Sequence, residues 1–216
     1  MVSVNEVLAK GKIIATGKDR RGYSTITIVI RGKRPAIVRF VVDNLPSSIG
    51  MGDYVRVKGH TKAYSYYDDI QNKWTSVQYF VADELEKCQT ELMEKFGVEG
   101  HYFGDASFRA YFAGEVTNTM ETNENWGKIT VKVNGVGVDK RLSYVTLSYL
   151  RSYRLPEFKY ERGDQVYISA SINTPQKEFD GRTVNFENLI VEDIVKNPES
   201  EKTAEEEQKN DMTDVM

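Results

Sequence analysis

Apolar and polar residues alternate along several short stretches of the first half of the chain. In residues 23–31 the apolar positions Ile26, Ile28 and Ile30 are each separated by one residue. A period of two is typical of a strand with one buried face. The same pattern predicts five strands, over residues 7–16, 23–31, 36–42, 53–64 and 74–82. Five short antiparallel strands joined by short turns favour a small Greek-key barrel.

The second half of the chain repeats this pattern. A Gly-Asp pair precedes an alternating stretch at residues 52–53 and again at residues 163–164, and Gly11 and Gly114 each lie within a first strand. The strands predicted for the second copy cover residues 108–120, 126–134, 138–147, 164–173 and 182–194, with a short helix over residues 148–156. We therefore predict a mainly β protein of two tandem five-stranded barrels.

The period changes between the two copies. In residues 83–96 the apolar residues recur at helical spacing, Asp83 can cap the first turn, and Gly97 can end the helix. The residues of the apolar face are Leu85, Cys88, Leu92 and Phe96. The predicted domains are a barrel over residues 1–87, a connecting helix and linker over 88–107, a second barrel over 108–196 and an acidic, disordered tail over 197–216.

Charge is distributed unevenly along the 216 residues. The formal net charge is −3, but residues 197–216 alone hold seven acidic and two basic side chains. Residues 10–39 hold nine Lys or Arg and one acid, Asp19. A basic first half followed by an acidic tail indicates a partner that carries negative charge.

The sequence contains no recognisable catalytic or metal-binding motif. Its two histidines, His60 and His101, are far apart, it has one cysteine, and no Gly-rich phosphate loop is present. The Asp68-Asp69 pair is interpreted as the tip of a hairpin. We therefore expect no enzymatic activity and no cofactor. The lone Cys88, the lack of a long apolar run and the lack of a signal peptide favour a protein of the cytoplasm.

Basic and aromatic residues share the predicted outer faces of the first barrel. Cations that follow phosphates and rings on which bases stack together form a surface for single-stranded nucleic acid. The candidate residues are Lys18, Arg20, Arg21, Tyr23, Arg31, Lys33, Arg34, Arg39, Tyr54, Arg56, Lys58, Tyr64, Tyr66, Tyr67, Trp74 and, in the second copy, Trp126. We expect these side chains of the first barrel to line one shared trough. Plainer interpretations remain open, since the turn cations can serve solubility and Trp74 can belong to the core.

With these features the chain resembles single-stranded DNA-binding proteins of the oligonucleotide-binding (OB) barrel type, in particular the tandem-barrel versions of phages and mobile elements. The resemblance implies a protein that coats single-stranded DNA with little sequence preference during replication, recombination or repair. It also implies that the acidic tail recruits partner proteins through its last residues, here Asp211, Met212, Asp214, Val215 and Met216. The tail lacks the terminal Pro-Phe pair that is usual in the bacterial members.

Other functions remain open at this point. An RNA-binding OB module would have the same fold and the same surface chemistry. A protein–protein adaptor would bind peptide strands and no oligonucleotide, and a small nuclease would need a metal-binding carboxylate set. The second copy has a net negative charge, so a structural role or the formation of a homo-oligomer remains open for it beside nucleic-acid binding. We expect the bacterial or infected-host cytoplasm as the location.

Overall fold

The computed structural model describes residues 4–30, 35–69, 72–88, 108–135, 141–151, 159–179 and 182–197. These residues form strands and connecting turns, and no helix occurs among them, so the mainly β prediction is confirmed. The strands are β1 (Val4–Lys18), β2 (Ser24–Ile30), β3 (Ala36–Val42), β4 (Tyr54–Asp68), β5 (Lys73–Lys87), β6 (Phe108–Glu121), β7 (Trp126–Val133), β8 (Ser143–Leu150), β9 (Gln165–Asn173), β10 (Gln176–Phe179), β11 (Arg182–Asn185) and β12 (Asn188–Lys196). No helix long and apolar enough to cross a membrane occurs among the described residues.

The strands of the first half pair in a closed circuit. Strand β1 pairs with β2 and β4, β2 pairs with β3, and β5 joins β3 in parallel and β4 antiparallel. The side chains inside this circuit are the alternating apolar residues of the sequence, including Ile26, Ile28, Val38, Phe40 and Val57, all of them buried. The alternation therefore correctly gives the core side of β2 and β3, although Thr25 and Val41 on the other side are buried as well.

The second half repeats the same circuit with β6, β7, β8, β12 and β9, and β8 and β12 are again the parallel pair. The repeated Gly-Asp turn also has the same conformation in both halves. Gly52 has a φ of 94° and Gly163 a φ of 99°, values that suit glycine because it has no side chain. The Gly52 N–H donates to the Ile13 carbonyl at 2.9 Å, and the Gly163 N–H donates to the Val116 carbonyl at 2.8 Å.

An approximate two-fold axis relates the two halves. When Gly11 is matched with Gly114, Val7 of β1 is equivalent to Ala110 of β6. The two strands pair antiparallel, and these two equivalent residues lie opposite each other. Two hydrogen bonds farther along the interface follow the same symmetry, because each half donates a backbone N–H to a side chain of the other. Gln78 accepts a hydrogen bond from the Thr146 N–H at 3.0 Å, and Glu187 accepts one from the Arg39 N–H at 2.6 Å.

In these exchanged contacts Gln78 and Glu187 occupy equivalent positions, as do Arg39 and Thr146, because the strand registers of the two halves match. Such reciprocal contacts are typical of a dimer with two-fold symmetry. This chain makes them between its own halves.

The predicted helix over residues 83–96 is wrong where the structure describes it. Strand β5 continues to Lys87, and the Asp83 carboxylate contacts the His60 Nδ1 at 2.8 Å instead of capping a helix. A β-bulge opposite Lys58 and Gly59 inserts one residue into β5. The insertion interrupts the alternation of β5, so the core-packed Ala82 and Leu85 are three residues apart. The remainder of that helix, residues 89–96, and the linker up to residue 107 lie outside the described residues.

Two further boundaries differ from the sequence prediction. Residues 148–150, predicted to begin a short helix, complete β8, and residues 152–158 lie outside the described residues. The predicted last strand over residues 182–194 is divided, because β10 and β11 form a hairpin before β12 begins. The predicted tail beyond residue 197 also lies outside the described residues.

Candidate nucleic-acid interface

Arg21 is surrounded by tyrosine rings at one end of the first half. Its guanidinium carbon lies 4.9 Å from the centre of the Tyr79 ring, 5.3 Å from that of Tyr23 and 6.0 Å from that of Tyr64. Its Nη1 also donates to the Tyr79 hydroxyl at 3.4 Å. We call Asp19, Arg21, Tyr23, Tyr64, Tyr66 and Tyr79 the Arg21 cluster.

The loop between β1 and β2 positions Arg21 through Asp19. One carboxylate oxygen of Asp19 accepts hydrogen bonds from the N–H groups of Arg21 and Tyr23, each at 2.9 Å, and the other forms an ion pair with the Arg21 guanidinium at 3.0 Å. Gly22, with a φ of 88°, allows the chain to reverse between Arg21 and Tyr23. The local sequence therefore fixes both the turn and the direction of the guanidinium.

Three rings of the cluster, those of Tyr64, Tyr66 and Tyr79, come from the long arm formed by β4 and β5, and Tyr23 comes from the loop before β2. Tyr64 and Tyr66 lie on the same side of β4 with ring centres 6.1 Å apart, and Tyr64 meets the edge of Tyr79 at 5.9 Å. Tyr23, Tyr64 and Tyr66 are 48%, 46% and 42% exposed. Half-exposed rings beside a cation can accept flat, negatively charged ligands such as nucleotides.

A groove of about 890 Å³ separates the two halves next to the cluster. The first half contributes Thr27, Arg39 and Tyr79, and the second half contributes Lys128 and Glu187. Because Tyr79 belongs both to the cluster and to the groove wall, the two surfaces are continuous.

Glu187 is the acid in this groove. Its loss of contact with water raises the pKa of its carboxyl to about 7, although the N–H and the charge of Arg39 favour the ionised form. Glu187 thus accepts a hydrogen bond from a backbone N–H of β3 that is not paired with another strand. Because its pKa is about 7, its carboxyl changes charge near neutral pH.

The structure brings together part of the predicted interface. Arg21, Tyr23, Tyr64 and Tyr66 are in the cluster, Tyr67 follows on the arm, and Lys18 and Arg20 are exposed in the adjoining loop. Arg39 lies in the groove, and Trp126 is the equivalent of Tyr23 in the second half. The side chains of Arg31, Lys33, Arg34 and Trp74, and the tail residues Asp211, Met212, Asp214, Val215 and Met216, lie outside the described residues.

The expectation of one shared trough is wrong for Tyr54, Arg56 and Lys58. They lie at the opposite end of β4, and the ten positions from Tyr54 to Tyr64 correspond to roughly 33 Å of strand. Arg56 forms an ion pair with Glu86, and Lys58 lies 3.6 Å from Glu6. These cations are therefore balanced by neighbouring acids on β1 and β5.

Two residues outside the main candidate set, Tyr79 and Lys128, also lie at this surface. Tyr79 lies immediately before the buried Phe80, so the alternation of β5 puts it on the outer face. Lys128 lies two residues after Trp126 and shares its exposed side of β7. Among the described residues, no group of three or more His, Cys, Asp and Glu side chains could hold a metal ion.

Comparison with known proteins gives a structural likeness only. No family model and no curated protein sequence matches the chain. The wild-type single-stranded DNA-binding protein from Thermus aquaticus is 12% identical with a TM-score of 0.57, over 91% of this chain and 94% of that one. A deletion mutant of the same protein is 11% identical with a TM-score of 0.57, over 90% of this chain and 95% of that one. This chain shares their fold.

Replacing Glu187 with Gln retains an oxygen for the Arg39 N–H and removes the titration. The pKa of about 7 in the folded protein lies above the ordinary 4.5, so the native state holds the proton more tightly, and stability falls as the pH rises between these values. We expect Glu187→Gln to remove this fall and to be more stable than the wild type at about pH 8. Urea unfolding at about pH 5 and about pH 8 measures the difference, and identical pH dependence in both proteins would contradict it.

Proposed function

We propose that this protein binds single-stranded DNA with little sequence preference and coats it during replication, recombination or repair, without catalysis. The observation that carries the proposal is the Arg21 cluster, in which the exposed rings of Tyr23 and Tyr64 and the partly buried ring of Tyr79 surround one oriented guanidinium. The shared fold supports it, since the similar proteins from Thermus aquaticus are single-stranded DNA-binding proteins by name. The proposed location is the bacterial or infected-host cytoplasm.

The two closed strand circuits support a pair of OB barrels, one over residues 1–87 and one over residues 108–196. In such a barrel the loop between the first two strands and the hairpin between the last two border the ligand-binding face. The Arg21 cluster is built from these two parts, because Arg21 lies between β1 and β2 and Tyr64 lies on the β4–β5 arm. Each ring can stack on any base, which gives affinity without sequence preference.

We also propose that the acidic tail regulates the basic surface and recruits partner proteins. Residues 197–216 carry five more acidic than basic side chains, and a tethered anionic segment competes with DNA for the same cations. DNA would displace the tail and free Asp211, Met212, Asp214, Val215 and Met216 for partners.

A second copy of the chain is the proposed partner for the outer face of β6, β9 and β12. Tyr111, Tyr167 and Val195 are exposed there, whereas the equivalent face of the first half has the Arg56–Glu86 ion pair. An exposed apolar patch bordered by polar residues is typical of a protein contact.

Removing a ring of the cluster should weaken DNA binding. We expect Tyr64→Ala and Tyr66→Ala each to weaken binding of oligo-dT by about 5- to 150-fold, because one stacked base contributes about 1–3 kcal/mol. Fluorescence titration measures the affinity, and thermal melting checks that the variants fold. Competition with oligo-U of the same length tests DNA against RNA.

Tyr54→Ala is the matched control, because it removes the same residue type at the far end of β4, and Arg56→Ala removes a cation there. We expect them to leave the affinity unchanged. If the controls weaken binding as much as the cluster variants do, the site is not the Arg21 cluster.

Deleting residues 199–216 should tighten oligo-dT binding at low salt and leave it nearly unchanged at high salt. The reason is that the competition between tail and DNA is electrostatic and is screened by ions. Titrations at two salt concentrations, with the full-length chain as control, measure the effect. Equal affinities of the two proteins at low salt would exclude the competition.

Replacing Tyr167 with Glu should shift the protein from oligomer to monomer, because a charge in the patch must lose its water in the contact. Sedimentation velocity at several protein concentrations measures the oligomeric state. A wild-type chain that remains monomeric throughout would refute the contact.

A further inference from the structure

The groove between the two halves has the composition of a nucleotide-binding surface, although the sequence pattern does not reveal it. We propose that it is the second part of the DNA site. A single strand passes from the Arg21 cluster along Tyr79, crosses the groove beside Arg39 and Lys128, and stacks a base on Trp126. This inference rests on the proposed function and extends it to the second half of the chain.

The strand registers place the cluster and Trp126 on opposite sides of the groove. On β2, Thr27 lines the groove and lies four positions after Tyr23, on the same side of the strand. On β7, Lys128 lines the groove and lies two positions after Trp126, again on the same side. Each half therefore presents one aromatic residue where its loop enters the groove-lining strand.

Tyr23 and Trp126 are equivalent in backbone as well as in position. The Tyr23 carbonyl accepts the Asp19 N–H at 2.8 Å, and the Trp126 carbonyl accepts the Thr122 N–H at 2.8 Å. Asn123 holds the second turn through its side chain, as Asp19 holds the first. Trp126 is 37% exposed, so part of its indole ring can receive a base.

The cations of the groove can bind phosphates. Arg39 and Lys128 are exposed, and within the described part of the chain neither forms an ion pair. By contrast, Lys132 on the same strand as Lys128 is paired with Glu115 at 2.9 Å. Lys128, with no carboxylate partner among the described residues, keeps its full attraction for a phosphate and releases a counterion when it binds one, whereas the charge of Arg39 also acts on the Glu187 carboxyl.

The differences between the halves fit a ligand that has a direction. Equivalent residues of the two halves point in opposite directions along the groove, because a two-fold axis relates them. A DNA strand has one direction, from 5′ to 3′, so the strand cannot make identical contacts with both halves. At equivalent positions the first half has Arg39 and Tyr79 and the second has Thr146 and Asn188. The first half therefore supplies most of the rings, and the second supplies Lys128 and Trp126.

Oligonucleotide length separates the two parts of the site. An OB barrel covers about 4–16 nucleotides, so a dT oligomer of about 8 occupies the cluster and one of about 30 also crosses the groove. We expect Lys128→Ala and Trp126→Ala each to weaken binding of the long oligomer by about 3- to 30-fold and to leave the short one unchanged. Lys128→Ala should also reduce the salt slope of the long oligomer by about 0.7.

Lys132→Ala is the matched control and should change neither affinity, because its ammonium group is engaged by Glu115. Equal losses for both lengths, or no loss for the long oligomer while Tyr64→Ala weakens both, would overturn the groove path. Wild-type protein that binds neither oligomer would instead overturn the proposed function, and this inference with it.

The direction of the strand can be measured separately. A dT oligomer of about 30 nucleotides with a fluorescent base analogue near its 5′ end is compared with one labelled near its 3′ end. We expect Trp126→Ala to change the fluorescence of only one of the two complexes. Equal changes at both ends would show that the strand has no fixed direction and would overturn that part of the inference.

Discussion

The β1–β6 pairing joins the two halves, and the open edges of β3 and β8 determine how they meet on the groove side. Each strand pairs along its length with one neighbour, but its parallel pairing with the last strand of its half covers few residues. Backbone N–H groups are left that need an acceptor. Glu187 and Gln78 supply one each from the opposite half. The two bonds are related by the approximate two-fold axis, and the residues that form them also line the groove.

The common scaffold has allowed the two halves to acquire different surfaces. The core positions and the Gly-Asp turns are alike in both, since they close the strand circuit and tolerate little change. The outer positions have no such constraint, and they differ at the loop that holds Arg21, at the arm that holds Tyr64 and Tyr66, and on the face that holds Tyr167. The first half therefore carries exposed rings beside cations, and the second half presents exposed apolar residues on the face that holds Tyr167.

The local sequence pattern predicts which side of a strand a residue lies on, because that depends on neighbouring residues. It does not predict contacts between residues far apart in the sequence. The alternation in β2 gives the core side of Ile26 and Ile28, and the exposed side of Tyr23 follows from it. The same alternation cannot show that Tyr54 and Tyr64, both on β4, lie about 33 Å apart along the strand. It also fails at the bulge before Leu85, where one inserted residue interrupts the alternation of β5. Glu187 and Arg39 are 148 positions apart, so no spacing in the sequence connects them.

The acid in the groove adds a chemical consequence to this geometry. Gln78 shows that a neutral side chain is a sufficient acceptor for the backbone contact. Glu187 differs from it because its carboxyl can also gain and lose a proton. Arg39 and Lys128 line the same groove, and the charge of Arg39 acts on the Glu187 carboxyl. If the proposed DNA strand places a phosphate beside these cations, it opposes the charged form of Glu187 and favours the protonated one. Linkage then requires that protonation of Glu187 strengthen binding at the proposed site to the same degree. The contact that closes the interface would thereby also couple the occupancy of that site to pH.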